Sequence, residues 1–282
     1  MSERNIYSEP TLTATLSSIS EHLEEETDIY LIGGGAMMFY GLKPSTKDID
    51  IVFLDPKALS QFIDAAKKAR IKLTEDLGEE YRNIGASAIM VADSGIQLDL
   101  FNQTVCNALT VKDTVVARAN HYRDMGRLSI HLMSPEDIVL FKGITEREAD
   151  LEDIRTLIET DINWETVEEE CLSQEDSGRW ANLLLDKLSD LYVRYGISIK
   201  LRKIKEHADN HILRRSFEIF MKEEEMSFTE LHKIVKERTG YSESWTRAKL
   251  QELEKEGFIE SRKRGRRRVY SLTKNQTQTS TK

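Results

Sequence analysis

Cysteine is scarce in this chain of 282 residues: Cys106 and Cys171 are the only two, far apart and in unrelated contexts. They offer neither a CxxC pair nor a disulfide framework, so a stapled scaffold and a thiol redox motif are both excluded. Long apolar runs are missing too. No stretch approaches the length needed to cross a bilayer, and the opening MSERNIYSEP lacks the basic and apolar regions of a secretory signal. A cytoplasmic protein is expected. There is no HExxH pattern either: His207 and His211 lie one helical turn apart, but no third ligand is near them, and they read as a solvated helix face.

Positive charge is short overall, with 40 Lys+Arg against 49 Asp+Glu and a net charge of -9. A wholly acidic chain would argue against a nucleic-acid partner. The charge is unevenly placed, however. From His211 onward there are 17 Lys+Arg and 11 Asp+Glu, or +6, which leaves -15 on residues 1–210. A local basic patch can bind a phosphate backbone through its own field whatever the total charge. At 39% hydrophobic and 32% charged, the composition suits a soluble chain long enough for two cores.

The most informative stretch is LIGGGAMMFYGLKPSTKDIDIVF, Leu31 to Phe53. In Asp48-Ile49-Asp50 the side chains of a strand alternate, so both carboxylates share one face while Ile49 and Ile51 turn to a core. Two acids on one face call for a cation. The glycines fall where a buried strand (Ile29 to Ile32) meets a helix expected over Ala36 to Tyr40, and there the backbone can approach phosphate with no Cβ in the way. The run fits neither of two familiar fingerprints. No Lys-Ser/Thr follows it as in a P-loop, and Met38 stands where the dinucleotide pattern needs its third glycine.

Around this segment, Leu12, Leu16, Ile19 and Leu23 recur at helical spacing, and so do Leu59, Phe62, Ile63 and Ala66 after Asp55-Pro56. Ser87 to Val91, the turn Asp93-Ser94-Gly95 and Ile96 to Phe101 predict a hairpin whose second arm carries Asp99 among apolar neighbours. A further strand is expected over Arg127 to Met133. Ser134-Pro135 then caps a helix, and an acid-rich helix runs from Ala149 to Ile158. Residues 161–210 read as a helical connector.

From His211 the pattern changes to three helices: Ile212 to Lys222, Ser227 to Arg238 with Ser227 and Glu230 spaced as a capping box, and Ser242 to Glu256. A hairpin of Phe258 to Ser261 and Arg268 to Leu272 follows, around a basic turn. This order predicts a winged helix-turn-helix over residues 211–274, followed by a disordered polar tail, 275–282. Its expected nucleic-acid contacts are Arg247 and Lys249, beside Ser242 and Ser244, and the wing residues Arg262, Lys263, Arg264, Arg266, Arg267 and Arg268.

Together, Gly33-Gly34-Gly35, the pair Asp48/Asp50 and the later Asp99 resemble the nucleotidyltransferase superfamily that includes DNA polymerase beta. STKDIDIV and SPEDIVLFK…READLEDI look closest to small prokaryotic nucleotidyltransferases of the abortive-infection and toxin type, over Ile6 to Glu159. The resemblance implies an α+β fold for residues 1–160, a mixed sheet with flanking helices. It also implies two Mg²⁺ ions held by Asp48, Asp50 and Asp99, and a nucleoside triphosphate contacted by Gly33, Gly34, Thr46 and Lys142. Asp99 would accept the proton of an attacking hydroxyl, on a tRNA end, a protein side chain or a small molecule. Arg147, Asp150 and Asp153 resemble the family's R-x-x-D-x-x-D pattern, whereas Lys43 stands where many relatives carry arginine and so lacks the bidentate fork. An antitoxin partner would accompany the toxin branch. The competing expectation is a winged-helix transcriptional regulator, binding DNA or RNA, whose first domain senses nucleotide or mediates assembly without catalysis.

Overall fold

The computed structural model describes residues 6–74, 85–222, 224–265 and 267–273. The chain divides into two units, Met1–Leu201 and Arg202–Lys282. Short apolar runs build the first unit's sheet, in which β1 (Thr27–Ile32) is an interior strand. It pairs antiparallel with β2 (Asp48–Phe53) and parallel with a strand a hundred residues later, described below as β9. Ile29, Leu31, Ile49 and Ile51 are fully buried, which fixes the register, since a slip of one residue would turn them all to the wrong face.

The helix α1 (Glu9–Ser20) buries Leu12, Leu16 and Ile19, and α2 (Gly33–Phe39) follows β1 directly. This α2 begins three residues before the expected Ala36, because Gly33 takes φ +65° and turns the chain within a single residue. The helix α3 (Pro56–Lys68) has Asp55 as its cap, accepting from the backbone N–H of Lys57.

Next come the short β3 (Lys72–Leu73) and the expected hairpin of β4 (Ala88–Val91) and β5 (Gln97–Asn102). Two elements that the periodicity did not announce follow. One is the small hairpin β6 (Thr104–Val105) and β7 (Leu109–Thr110), and the other is α4 (Asp113–Arg118). The strand expected over Arg127 to Met133 is β9 (Leu128–Leu132). Its partner β8 (Asn120–Met125) is an edge strand with no buried residue, so no apolar alternation marks it. The sheet order is β3-β4-β5-β2-β1-β9-β8, with parallel and antiparallel neighbours mixed.

Helices α5 (Pro135–Gly143), α6 (Asp150–Ile158), α7 (Trp164–Ser173) and α8 (Ser177–Tyr195) complete the first unit. Ser134 caps α5 by accepting from the backbone N–H of Asp137. Its carboxylate neighbour Asp137 pairs with Arg118 at 2.6 Å, and Arg118 also reaches Glu170 at 2.8 Å, a bridge between α4, α5 and α7.

The second unit opens with α9 (Arg202–Phe220), ten residues earlier than the helix expected from Ile212, because Ile204 and Ala208 extend the buried stripe of Leu213 and Phe217 toward the N-terminus. The stretch read as a connector is therefore divided. Its α7 and α8 belong to the first unit, and residues 202–210 form the start of α9. After β10 (Met226–Ser227) come α10 (Phe228–Thr239), with its capping box present, and α11 (Glu243–Lys255), capped by Ser242. The strands β11 (Ile259–Arg264) and β12 (Arg267–Leu272) run further into the basic cluster than expected and join β10 in a three-stranded sheet, β10-β12-β11. Leu213, Phe217, Leu231, Leu250, Leu253 and Ile259 form this unit's core. The tail read as disordered, 275–282, lies outside the described residues.

Candidate active site

Parallel pairing of β2 with β5 sets Asp50 beside Asp99 and Asp48 beside Gln97. Registered partners share a face of the sheet, so the three aspartates singled out in the sequence open on one side while Ile49, Ile51, Leu98 and Leu100 fill the other. Asp99 is buried and its Oδ1 accepts from Gln97 Nε2 at 2.6 Å. Asp48 and Asp50 are half-buried. Burial, then the charges of Asp48 and Asp99, push the Asp50 carboxyl well above the ordinary aspartate range, although Arg147 and Lys142 pull the other way. Crowding of like charges thus makes this face avid for positive charge, a proton or a cation.

The glycine turn lies directly against these acids. A Cβ on Gly33 would stand 2.4 Å from Asp50 Oδ2, and one on Gly34 would stand 2.6 Å from Thr46 Oγ1. Thr46 is buried and donates to the backbone carbonyl of Asp48 at 3.1 Å. Gly33, Gly34, Thr46 and the aspartates are therefore one constellation, in which any larger residue at the turn would displace a carboxylate or the hydroxyl.

The aspartates and Gly33 line a cavity of about 630 Å³ together with Phe101, Phe141, Arg147, Trp180 and Leu183. Cys106, at the tip of the β6–β7 hairpin, faces it from a left-handed turn with φ +57°, followed by Asn107 at +51°. Cys106 is exposed as a residue, yet shielding of its thiol from water and then the charge of Asp50 push the thiol up to about 11, toward the protonated form and away from a thiolate nucleophile.

Lys142 is placed otherwise than the sequence suggested. Its residue touches the cavity, but its ammonium is buried between Asp150 Oδ1 and Asp153 Oδ2, each at 2.7 Å. Burial opposes its charge, yet the two carboxylates outweigh burial and hold its pKa above the ordinary lysine value. Asp150 agrees from the other side. Burial works against its ionisation, but Lys142 and Arg147 prevail and lower its pKa. Lys43 extends the network to Asp153 at 2.8 Å, and Thr145 donates to Asp150 Oδ2 at 2.5 Å. Asp150 and Asp153 of the R-x-x-D-x-x-D pattern thus form, with Lys142, an ion-pair frame behind the cavity wall, and Arg147 meets Asp150 from the cavity side.

The match to known sequences falls on this same region. A family model described as a nucleotidyltransferase of unknown function (DUF6036) matches residues 11–195. The chain belongs to that family. No curated protein matches it. The DUF6036 match runs on to the last residue of α8 and so takes in Trp180 and Leu183, beyond the Glu159 limit of the sequence resemblance. These two residues and Arg179 were missed as cavity residues. Helical spacing marks Leu184, Leu188 and Leu191 as buried but does not say which neighbouring positions border a cavity.

The chemistry of the donor set suits a hard cation: three carboxylates on one face and no sulfur or imidazole among them. Among the described residues, no group of three His, Cys, Asp or Glu side chains is gathered closely enough to hold an ion as it stands. The aspartates are set side by side on a shared wall, one of them disfavoured as an anion by the other two.

In the second unit, Arg262, Lys263, Arg264, Arg267 and Arg268 are exposed on the β11–β12 hairpin, and Arg266 lies outside the described residues. Arg247 is exposed but pairs with Glu243 at 2.6 Å and covers the Phe228 ring at 4.0 Å. Lys249, expected to face a groove, has its side chain turned away from solvent. It is buried against the core side of α11 and directs its amine to Glu252.

Proposed function

We propose that the first unit transfers a nucleoside monophosphate from a nucleoside triphosphate to a hydroxyl acceptor, and that Asp48, Asp50 and Asp99 hold Mg²⁺ for it. The observation that carries this reading is the ladder rung Asp50–Asp99 beside Gly33, on the wall of a cavity large enough for a nucleotide. Bound Mg²⁺ would supply positive charge to the attacking and leaving oxygens. Asp99, buried and steadied by Gln97, would take the proton of the acceptor hydroxyl. Gly33 and Gly34 leave room for the phosphates, Thr46 fixes the turn that frames them, and the apolar wall of Phe141, Trp180 and Leu183 limits water around the reacting groups. Incubation of the protein with Mg²⁺, each labelled triphosphate and tRNA or protein acceptors tests the reading. Transfer is expected for the unaltered chain and its loss for Asp48→Asn and Asp50→Asn; equal signal from all three would sink it.

A second reading concerns the second unit, which we propose is a winged helix that binds nucleic acid. Its hairpin sets Lys263 directly opposite Arg268 and Arg264 directly opposite Arg267. Like charges facing one another across a ladder destabilise it, and a polyanion relieves that repulsion. Neutralising Arg264, Arg267 and Arg268 together is expected to flatten the salt dependence of DNA or RNA binding. A slope unchanged from the parent chain would refute it.

A further inference from the structure

Several cations around the cavity are already engaged. Lys142 gives its ammonium to Asp150 and Asp153, Lys43 gives its own to Asp153, and the Arg179 guanidinium lies 4.9 Å over the Trp180 ring. Arg147 differs from all three. It contacts Asp150 through Nε at 3.0 Å and Nη2 at 3.4 Å, yet its side chain remains 70% exposed and it lines the same cavity as the aspartates. Those two contacts use one edge of a fork that carries five N–H donors.

Its backbone is held separately from its side chain. The carbonyl of Arg147 accepts from Lys187 Nζ at 3.0 Å and from the backbone N–H of Asp150 at 3.2 Å. Lys187 belongs to α8, so the loop between α5 and α6 is pinned to that helix while the guanidinium stays open to the cavity. The cavity therefore has carboxylates on its sheet wall and an oriented guanidinium on its loop wall.

A nucleoside triphosphate presents charges that match this layout. The α-phosphate must lie near the aspartates, where the acceptor oxygen bonds to phosphorus as the bridge to the β-phosphate breaks. The electron pair and the growing negative charge then pass to pyrophosphate. We propose that Arg147 grips the β- and γ-phosphates, a positioning role in which Lys142 acts only by orienting Asp150 behind it. This rests on the nucleotide-transfer reading. A planar guanidinium engages two phosphate oxygens at once, which an ammonium cannot do.

The test is calorimetric titration of the full chain, in Mg²⁺, with the four nucleoside triphosphates and the matching monophosphates. The parent chain should prefer triphosphate. Arg147→Ala should weaken triphosphate binding at least tenfold and leave monophosphate binding within twofold, so that the preference collapses. Arg147→Gln, which keeps a hydrogen-bond donor toward Asp150, should lose the preference in the same way and stands in if the alanine variant does not fold. Either folded variant retaining the parent's triphosphate-to-monophosphate ratio overturns the role of Arg147 alone. A parent chain that binds none of the four triphosphates overturns the nucleotide-transfer reading and this role together.

Discussion

Replacing Lys142 with methionine probes the frame behind the cavity. Methionine keeps the unbranched stem and fills the space but removes the charge that Asp150 and Asp153 share. The Lys142 and Asp150 side chains are only 6% and 3% exposed, so the carboxylates are left desolvated without their main partner. Breaking a buried pair on one side costs about 3–5 kcal/mol. Asp150 keeps Arg147 and Thr145, and Asp153 keeps Lys43, which places the loss near the lower end, about 3 kcal/mol. For a unit of this size that is a fall in Tm of about 6–12 °C, read by calorimetry of the full chain. The pH dependence has a definite sign. Asp150 has a lowered folded pKa, so its share of the stability is present above its unfolded pKa and is lost as pH falls through the folded one. Lys142 has a raised folded pKa, so its share is complete below the ordinary lysine value and is lost only as pH rises through the higher folded one. The gap between parent and variant should hold through neutral pH and close in acid, below the ordinary aspartate pKa of about 4. A variant melting within about 2 °C of the parent would refute the buried-frame argument, and lost nucleotide binding with unchanged Tm would restore Lys142 as a phosphate contact.

Gly33→Ala brings a Cβ to 2.4 Å from Asp50 Oδ2 at a φ of +65°, and is expected to cost about 1–2 kcal/mol in stability and weaken Mn²⁺ or Mg²⁺ binding, read by melting and metal titration. Ser227→Ala removes the side-chain half of the capping box at α10, while the backbone N–H of residue 227 still donates to Glu230, and should lower the second unit's stability by about 1 kcal/mol in a calorimetric scan. Glu225 pairs with Arg262 at 2.5 Å and Arg264 at 3.8 Å, so Glu225→Gln should free charge on the β11–β12 hairpin and, on the nucleic-acid-binding reading proposed above, steepen the salt dependence by about one unit of slope in a filter-binding series.

Much of the site could be read from local pattern, because strand alternation alone puts Asp48 and Asp50 on one face and Ile49 and Ile51 on the other. The hairpin that carries Asp99 was equally legible from its turn residues, and Gly95 indeed takes φ +88° there. The pairing of Asp50 with Asp99 was not, because strand neighbours in a parallel ladder depend on contacts remote in sequence. Lys142 and Lys249 show the opposite limit. Lys142 reads as a phosphate contact and Lys249 as a groove-facing cation, and packing buries both side chains beside carboxylates. The strand β8 escaped notice because an edge strand with polar side chains leaves no hydrophobic period.

The parallel pairing of β1 with β9 also constrains how the chain is made. Ile29 pairs with Ile130, so β1 waits for about a hundred residues of further synthesis before its second edge is covered. At ribosomal speeds of ~5–20 residues per second, that is roughly 5–20 s with an apolar strand edge open to other chains. A nascent chain stalled before Leu128 would hold all three aspartates in a sheet with one missing neighbour. Aggregation during expression, relieved by slower growth or by chaperones, is therefore the expected weakness of this topology.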